Sequence, residues 1–369
     1  MRIKLTLIAV CLWSVVSFAQ VTTPQTYASE WYTIHADAGR VDYNMTTAVL
    51  AYDDYGGLDL YFDVFRSTLT SAGVCYTCDH ADLASPNKHI GQPAWNPAGT
   101  YFVFQAQNTD AGCLDSEATP GSGLCNNLWA MDVLGVAATE LYTVAGAGEG
   151  GLLHPHVSGD GLKVYFSERT VETPSTWRLA VCDIEFVFPP SVSGCVYHAP
   201  AQADGFYEAH GCLDDACDEL VFSCICDAAD NDFDDFDIAT YKVSTMTYTK
   251  LTNTQNEWDE HAIVGPDGRI VWMSSKDTTV SPLRTDWWIM DSDGSNKQRL
   301  TYFNDANHPE YISAGAIAAD STWVTNNRFV GFRQAPSSNT GRISVYQIQD
   351  NPRISSRTNL KKPVRVNGQ

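Results

Sequence analysis

Short runs of aromatic and β-branched residues, separated by turns rich in Gly, Pro, Asp and Asn, recur along this 369-residue chain. That composition and punctuation favour strands over helices. Four stretches share one layout. Gln92 is followed by PAWNPAGTYFVF, His154 by PHVSGDGLKVYF, His210 by GCLDDACDELVF and His261 by AIVGPDGRIVWM. In each, the seventh residue after the Gln or His is Gly99, Gly161, Cys217 or Gly268, inside a tight-turn sequence that predicts a hairpin. A third strand follows at 128–132, 177–181, 236–240 and 287–291, and a turn and fourth strand are clearest in Asp291-SDGSNKQRL-Thr301.

Four strands per unit of about 50 residues is the layout of a β-propeller blade. Two less regular units complete the series, one starting at His35 and one at His308, where Gly315 again lies seven residues on. The starts at 35, 92, 154, 210, 261 and 308 are 57, 62, 56, 51 and 47 residues apart. The expected fold is all-β, a single propeller over residues 20–350 with about six four-stranded blades, seven being the alternative count. The basic tail 351–369 is expected to be disordered or to supply a closing strand, with Val364-Arg365-Val366 as the candidate.

The first residues read differently. Arg2 and Lys4 precede an apolar run from Leu5 to Val16, and Ser17-Phe18-Ala19 precedes Gln20, the pattern of a signal peptide over 1–19. The apolar run is too short for a membrane span. The chain carries 23 basic and 44 acidic residues. Losing Arg2 and Lys4 leaves 21 against 44, or −23. Nucleic acid is a poor partner for such a charge, and membrane insertion is not expected. Ten of the eleven cysteines remain after cleavage, an even number that predicts disulfides in an oxidising compartment, outside the cell or in a periplasm. Close neighbours suggest local pairs: Cys75 with Cys78, Cys113 with Cys125, Cys182 with Cys195. The pairing of Cys212, Cys217, Cys224 and Cys226 stays open, and zinc is their rival use.

The segments Trp258-DEHAIVGPDGRIV-Trp272 and Trp287-WIMDSDGSNKQRL-Thr301 resemble the repeat of TolB-type propellers, which reads Ser-Pro-Asp-Gly, a β-run, an apolar strand ending in Asp, then Arg-Leu-Thr. The likeness spans most of 35–347 and implies the architecture rather than a function. A more distant similarity is to oligogalacturonate lyases, whose blade-start histidines resemble His154, His156 and their equivalents. That resemblance implies a divalent metal on the propeller axis.

The inner strand of each blade lines the axis, so pseudo-symmetry predicts a ring of His35, Gln92, His154, His210, His261 and His308 at one channel mouth, with His156 on the same face. Converging imidazoles suit zinc, manganese or copper. Glu208, Glu260 and Asp259 lie beside the ring as candidate acids, bases or orienting groups. The rival role is a strut, each start residue bonding the neighbouring blade. The aspartate run 227–237 is a calcium candidate or a solvated loop, and Asn44-Met45-Thr46 is a glycosylation sequon. Two functions remain. One is a binding module that takes a protein, peptide or glycan at the channel mouth. The other is a metal-dependent polysaccharide lyase or hydrolase. A copper redox protein is a third, weaker candidate.

Overall fold

The structure is a computed structural model. It describes residues 27–349 apart from 37, 56–60, 79, 84–87, 109–117, 145–149, 171–176, 186, 188, 201–205, 227–235, 255, 279–283 and 336–340. The segment 1–19 expected to be a signal peptide, Cys113, most of the aspartate run and the tail 351–369 lie outside the described residues.

Six antiparallel four-stranded sheets form the blades. The first holds β2 (Ala38–Asn44), β3 (Val49–Tyr55), β4 (Phe62–Ser67) and β5 (Val74–Cys75). The second holds β6 (Ile90–Trp95), β7 (Tyr101–Gln107), β8 (Asn126–Asp132) and β9 (Ala138–Tyr142). The third holds β10 (Gly151–Val157), β11 (Lys163–Arg169), β12 (Trp177–Glu185) and β13 (Ser191–His198). The fourth holds β14 (Tyr207–Cys212), β15 (Glu219–Ile225), β16 (Phe236–Lys242) and β17 (Thr247–Lys250). The fifth holds β18 (Asp259–Val264), β19 (Ile270–Ser274), β20 (Asp286–Met290) and β21 (Gln298–Arg299). The sixth is built from β22 (Ile317–Thr325), β23 (Arg328–Gln334) and β24 (Gly341–Gln349), and β1 (Tyr27–Ala36) pairs with β24 as its outermost strand. The first strands of successive blades touch in order, and β22 returns to β2, which closes the ring.

One expectation changes at this closure. The strand that completes blade six among the described residues is β1. His35 lies in β1, in register with Ile343, so its backbone is at the outer edge of the sixth blade and not on the axis. The reason is connectivity: the first strand laid down completes the last blade, which shifts the start of blade one to Ala38.

The sequence pattern has physical causes in the blades. The second strand of blade two, β7, is buried along its whole length, which is why its residues read as one apolar run. The outer strands β13 and β17 alternate between half-buried and exposed. Packing between blades is aromatic: the Trp287 ring lies 4.7 Å from Tyr346 and 5.4 Å from Phe329, joining blades five and six. The Leu-Thr that ends two repeats is a clamp. Thr301 Oγ donates to Asp286 Oδ1 at 2.8 Å and accepts the Trp287 N–H at 3.0 Å. Thr252 does the same with Asp237 and Ile238, at 3.0 and 2.8 Å. Blade one repeats it with Thr77, Asp63 and Val64. The neighbouring Leu251 and Leu300 are buried.

The hairpin after each inner strand needs a left-handed residue. Gly99, Gly161 and Gly268 supply it, with φ of 66°, 72° and 82°. Cys217 takes the same place at φ 61° and is crosslinked to Cys212 across the turn. Cys224 pairs with Cys226, Cys182 with Cys195, and Cys75 with Cys78. The four cysteines of blade four are therefore two local disulfides, and their sulfurs are not zinc ligands. Asn44 is also committed. Its amide donates to the carbonyls of Asn96 and Pro97, at 2.8 and 3.3 Å, and only 4% of it is exposed, so the sequon's acceptor nitrogen ties blade one to blade two. Among the described residues, no helix is long and apolar enough to cross a membrane.

Candidate functional site

Every inner strand breaks register at an equivalent place: between Ala38 and Val41, Gly91 and Ala94, Leu153 and His156, Ala209 and Gly211, Glu260 and Ile263, and Ala318 and Ser321, with a second break in β22 between Trp323 and Thr325. A bulge frees a residue from the ladder and re-aims its side chain. The freed residues include Arg40, Gln92, His154, His210, His261 and Asp320, one per blade. Three of them, Gln92, His154 and His261, adopt φ near +50°, at 51°, 51° and 50°. Non-glycine residues hold that conformation at a cost on the order of 1–3 kcal/mol, and such strain gathers at functional positions.

Four of the six expected ring members thus meet on the axis. The rings of His154 and His210 are 5.2 Å apart, those of His154 and His261 5.5 Å, and those of His210 and His261 5.8 Å. His156 joins them. His35 and His308 do not. His308 lies between β21 and β22, stacked on Tyr302 at 4.4 Å and accepting the Glu310 N–H. Their places belong to Arg40 and Asp320, which the search for histidines passed over. A signal for them was present: Gln92, His154, His210 and His261 each precede the start of the next strand by nine residues (101 − 92, 163 − 154, 219 − 210, 270 − 261), and Arg40 precedes Val49 by the same nine. In blade six the interval is eight, from Asp320 to Arg328.

Arg40 is the hub of one half of this site. Its Nη1 lies 2.7 Å from His154 Nδ1, its Nη2 2.6 Å from His156 Nε2, and its Nε 3.5 Å from Asp320 Oδ2. Guanidinium has no acceptor, so the imidazole nitrogens must accept. That places the His154 proton on Nε2, whereas His156 presents both ring nitrogens to Arg40 Nη2, with Nδ1 at 3.2 Å. Burial, followed by the Arg40 charge, holds both well below the ordinary histidine range, and His210 is lowered by burial and by His261. His210 Nε2 is 2.6 Å from Ser223 Oγ. The Gln92 side-chain oxygen accepts the His154 N–H at 2.7 Å. Asp53 accepts the backbone N–H groups of both Arg40 and Gln92, at 2.6 and 2.7 Å, and burial pushes its carboxyl up to about 6. Gln92 is therefore a strut as well as a ring member.

The other half is acidic. Glu208 Oε2 is 3.7 Å from His154 Nε2, and Glu260 Oε2 is 3.5 Å from His261 Nε2. Burial and then the Glu260 charge hold Glu208 well above the usual carboxylate range. Burial alone would lower His261, but Asp320, 3.6 Å from its Nδ1, and Glu260 together raise it. Asp259 is not part of the site. It faces into its own blade, where it accepts from Trp272 Nε1 at 3.0 Å, and burial pushes it up to about 6. The described end of the aspartate run is also committed, since Asp237 pairs with Lys250 at 2.6 Å.

On one side of the ring the channel widens into a cavity of about 380 Å³. Arg40, His156, His210 and Asp320 lie at its inner end, and it runs out along the inner strands to the hairpin turns at Met45, Gly159, Asp215 and Gly268. Tyr43, Tyr165 and Trp323 line its wall, while Glu208 and Glu260 do not reach it. The histidines thus sit deep on the axis, and the hairpin turns form the mouth.

No protein-family model matches the chain, and no curated protein matches it. Among solved structures, a protein of unknown function from Dyadobacter fermentans is similar at a TM-score of 0.55, with 12% identity over 88% of this chain and all of that one. TolB from Acinetobacter baumannii is similar at 0.46, with 12% identity over 85% of this chain, which spans 65% of the TolB chain. An oligogalacturonate lyase in complex with manganese is similar at 0.47, with 11% identity over 86% of this chain and 77% of that one. These likenesses describe the propeller fold and leave the chemistry of the ring to this chain's own residues.

Proposed function

We propose that this protein is an exported ligand-binding propeller that takes up a polar segment of a protein, peptide or glycan through the mouth formed by its hairpin turns. The observation that carries this reading is the axial cavity, whose inner end is a fixed set of donors and acceptors between aromatic walls, the usual make-up of a recognition site. The four acidic residues Asp42, Asp214, Asp215 and Asp320 around it outnumber Arg40, which favours a ligand with amino or guanidino groups. Trp323 reports on occupancy by its fluorescence. The test titrates the protein with tetralysine, tetraglutamate, and neutral, amino-sugar and uronic-acid oligosaccharides. At least one basic probe is expected to bind, and Ile263→Trp, which fills the cavity wall without touching the ring, is expected to abolish that binding while the melting temperature holds. Binding that survives Ile263→Trp, or no binding by any probe, overturns the reading. Export is tested separately by sequencing the mature N-terminus, expected at Gln20.

A second reading, a metal-dependent lyase or hydrolase acting on a polysaccharide, draws on one observation: burial and the Glu260 charge hold Glu208 well above the usual carboxylate range, which suits a general acid. Neither carboxyl lines the cavity, so a chain bound there does not touch them, and the binding reading leads.

A further inference from the structure

We infer that Glu208, Glu260 and His261 form a binding site for a divalent first-row cation such as Mn²⁺ or Zn²⁺, on the side of the ring away from the cavity. One donor atom from each of these residues lies within 4.8 Å of the other two. They come from the neighbouring inner strands β14 and β18, two rigid elements of the ring, rather than from loops.

The independent observation is an orphaned atom. Glu208 Oε2 is buried, the residue being 6% exposed, and it has no hydrogen-bond partner among the described residues. A carboxyl oxygen withdrawn from water without a partner costs several kcal/mol by order of magnitude, and coordination of a cation removes that cost. Arg40 is turned toward His154, His156 and Asp320, and among the described residues no hydrogen bond joins it to Glu208. His154 is engaged as well: its Nδ1 accepts from Arg40, which leaves an Nε2–H pointing toward Glu208 at 3.7 Å. At 3.7 Å it is beyond hydrogen-bond reach of that oxygen, and with a proton on the facing nitrogen His154 is not a ligand.

Two carboxylates and one imidazole select the cation. Calcium and magnesium prefer all-oxygen surroundings, and soft copper(I) prefers sulfur. Oxygen with one nitrogen suits manganese, iron(II) or zinc, and three protein donors leave further positions open. Only His261 of the expected histidine ring takes part. The site does not depend on the cavity's ligand, so its test uses metal alone.

Mature protein stripped with a chelator is titrated with Mn²⁺ and the loss of the free-ion electron paramagnetic signal is followed. One tight site per chain is expected, with Zn²⁺ displacing Mn²⁺ at the same stoichiometry and with a rise in melting temperature on loading. Glu208→Gln and Glu260→Gln keep the shape and remove the charge. Each is expected to weaken binding by about 100-fold or more, since even groups behind the ligands shift metal affinity by roughly 10–100-fold. His308→Ala is expected to leave it unchanged. No tight Mn²⁺ or Zn²⁺ site in the stripped wild type overturns the inference whatever the variants do. Several weak sites indifferent to both glutamine substitutions overturn it as well.

Discussion

The two halves of the axial site are built on the inner strands of one repeat and have opposite chemistry. Around Arg40, a guanidinium meets two imidazoles and a carboxylate, and the His154 tautomer is fixed by it. Around Glu208, two carboxyls crowd one imidazole and, among the described residues, one oxygen has no hydrogen-bond partner. Pseudo-symmetry supplies the address of a side chain, through the bulge, and leaves its identity free. A satisfied half can act as scaffold and an unsatisfied half as a binding site, within a single ring.

The comparison breaks most sharply at Arg40. Arg40→Met removes the donor to His154 and His156 and one of the two charge partners of Asp320, so unfolding in urea is expected to show a loss of about 3–5 kcal/mol. Arg40→Lys should recover little of it, because one ammonium cannot reach three partners in a fixed fork. A loss under about 1 kcal/mol in both variants would mean that the hub is not structural.

Next in size is the response to pH. Asp53 and Asp259 are buried and titrate at about 6 in the folded chain. The native state therefore holds protons that the unfolded state has released, so stability falls as pH rises from about 4 to about 6 and then levels for these two groups. Each contributes about 2–3 kcal/mol to that fall by order of magnitude. Asp259→Asn keeps an acceptor for Trp272 and should flatten part of the slope, read from urea midpoints across that range.

Gln92→Ala leaves the buried His154 N–H without its acceptor and is expected to cost about 1–3 kcal/mol. Gln92→Gly loses the same bond but relieves the left-handed backbone, so it should be the milder of the two. Thr301→Val tests a clamp far from the axis, at about 1–2 kcal/mol. His308→Ala, outside the ring, should stay within about 0.5–1 kcal/mol. If His308→Ala proved as costly as Gln92→Ala, the distinction between ring and connection would fail.

The sequence made the central four blades legible because offset and turn agree there: a left-handed turn residue seven places after a bulged residue leaves a mark in the composition. It misled at both ends. His35 had the residue type alone, and His308 had both the residue type and the offset to Gly315 yet lies in the connection before β22, while Arg40 had the nine-residue distance to the next strand and Asp320 fell one short of it. The tautomers, the orphaned oxygen of Glu208 and the burial of Asn44 depend on contacts between blades, and no local pattern encodes those. The inward turn of Asp259 was hidden for a related reason, since its neighbour Glu260 faces the other way along the same strand.

The closure of the sixth blade by β1 carries a consequence for how the molecule is made. β1 emerges first during synthesis, and its partner β24 emerges only after five blades have formed. Until then two sheet edges stay open, one on the growing chain and one on the waiting strand, and open edges are templates for pairing with other chains. The circle is thus a test of completeness: a product that ends before residue 341 lacks β24 and cannot seal itself, whereas the finished chain hides both edges at once. Contacts this distant in sequence form slowly, and the reward for waiting is a molecule whose first and last strands lock each other in place.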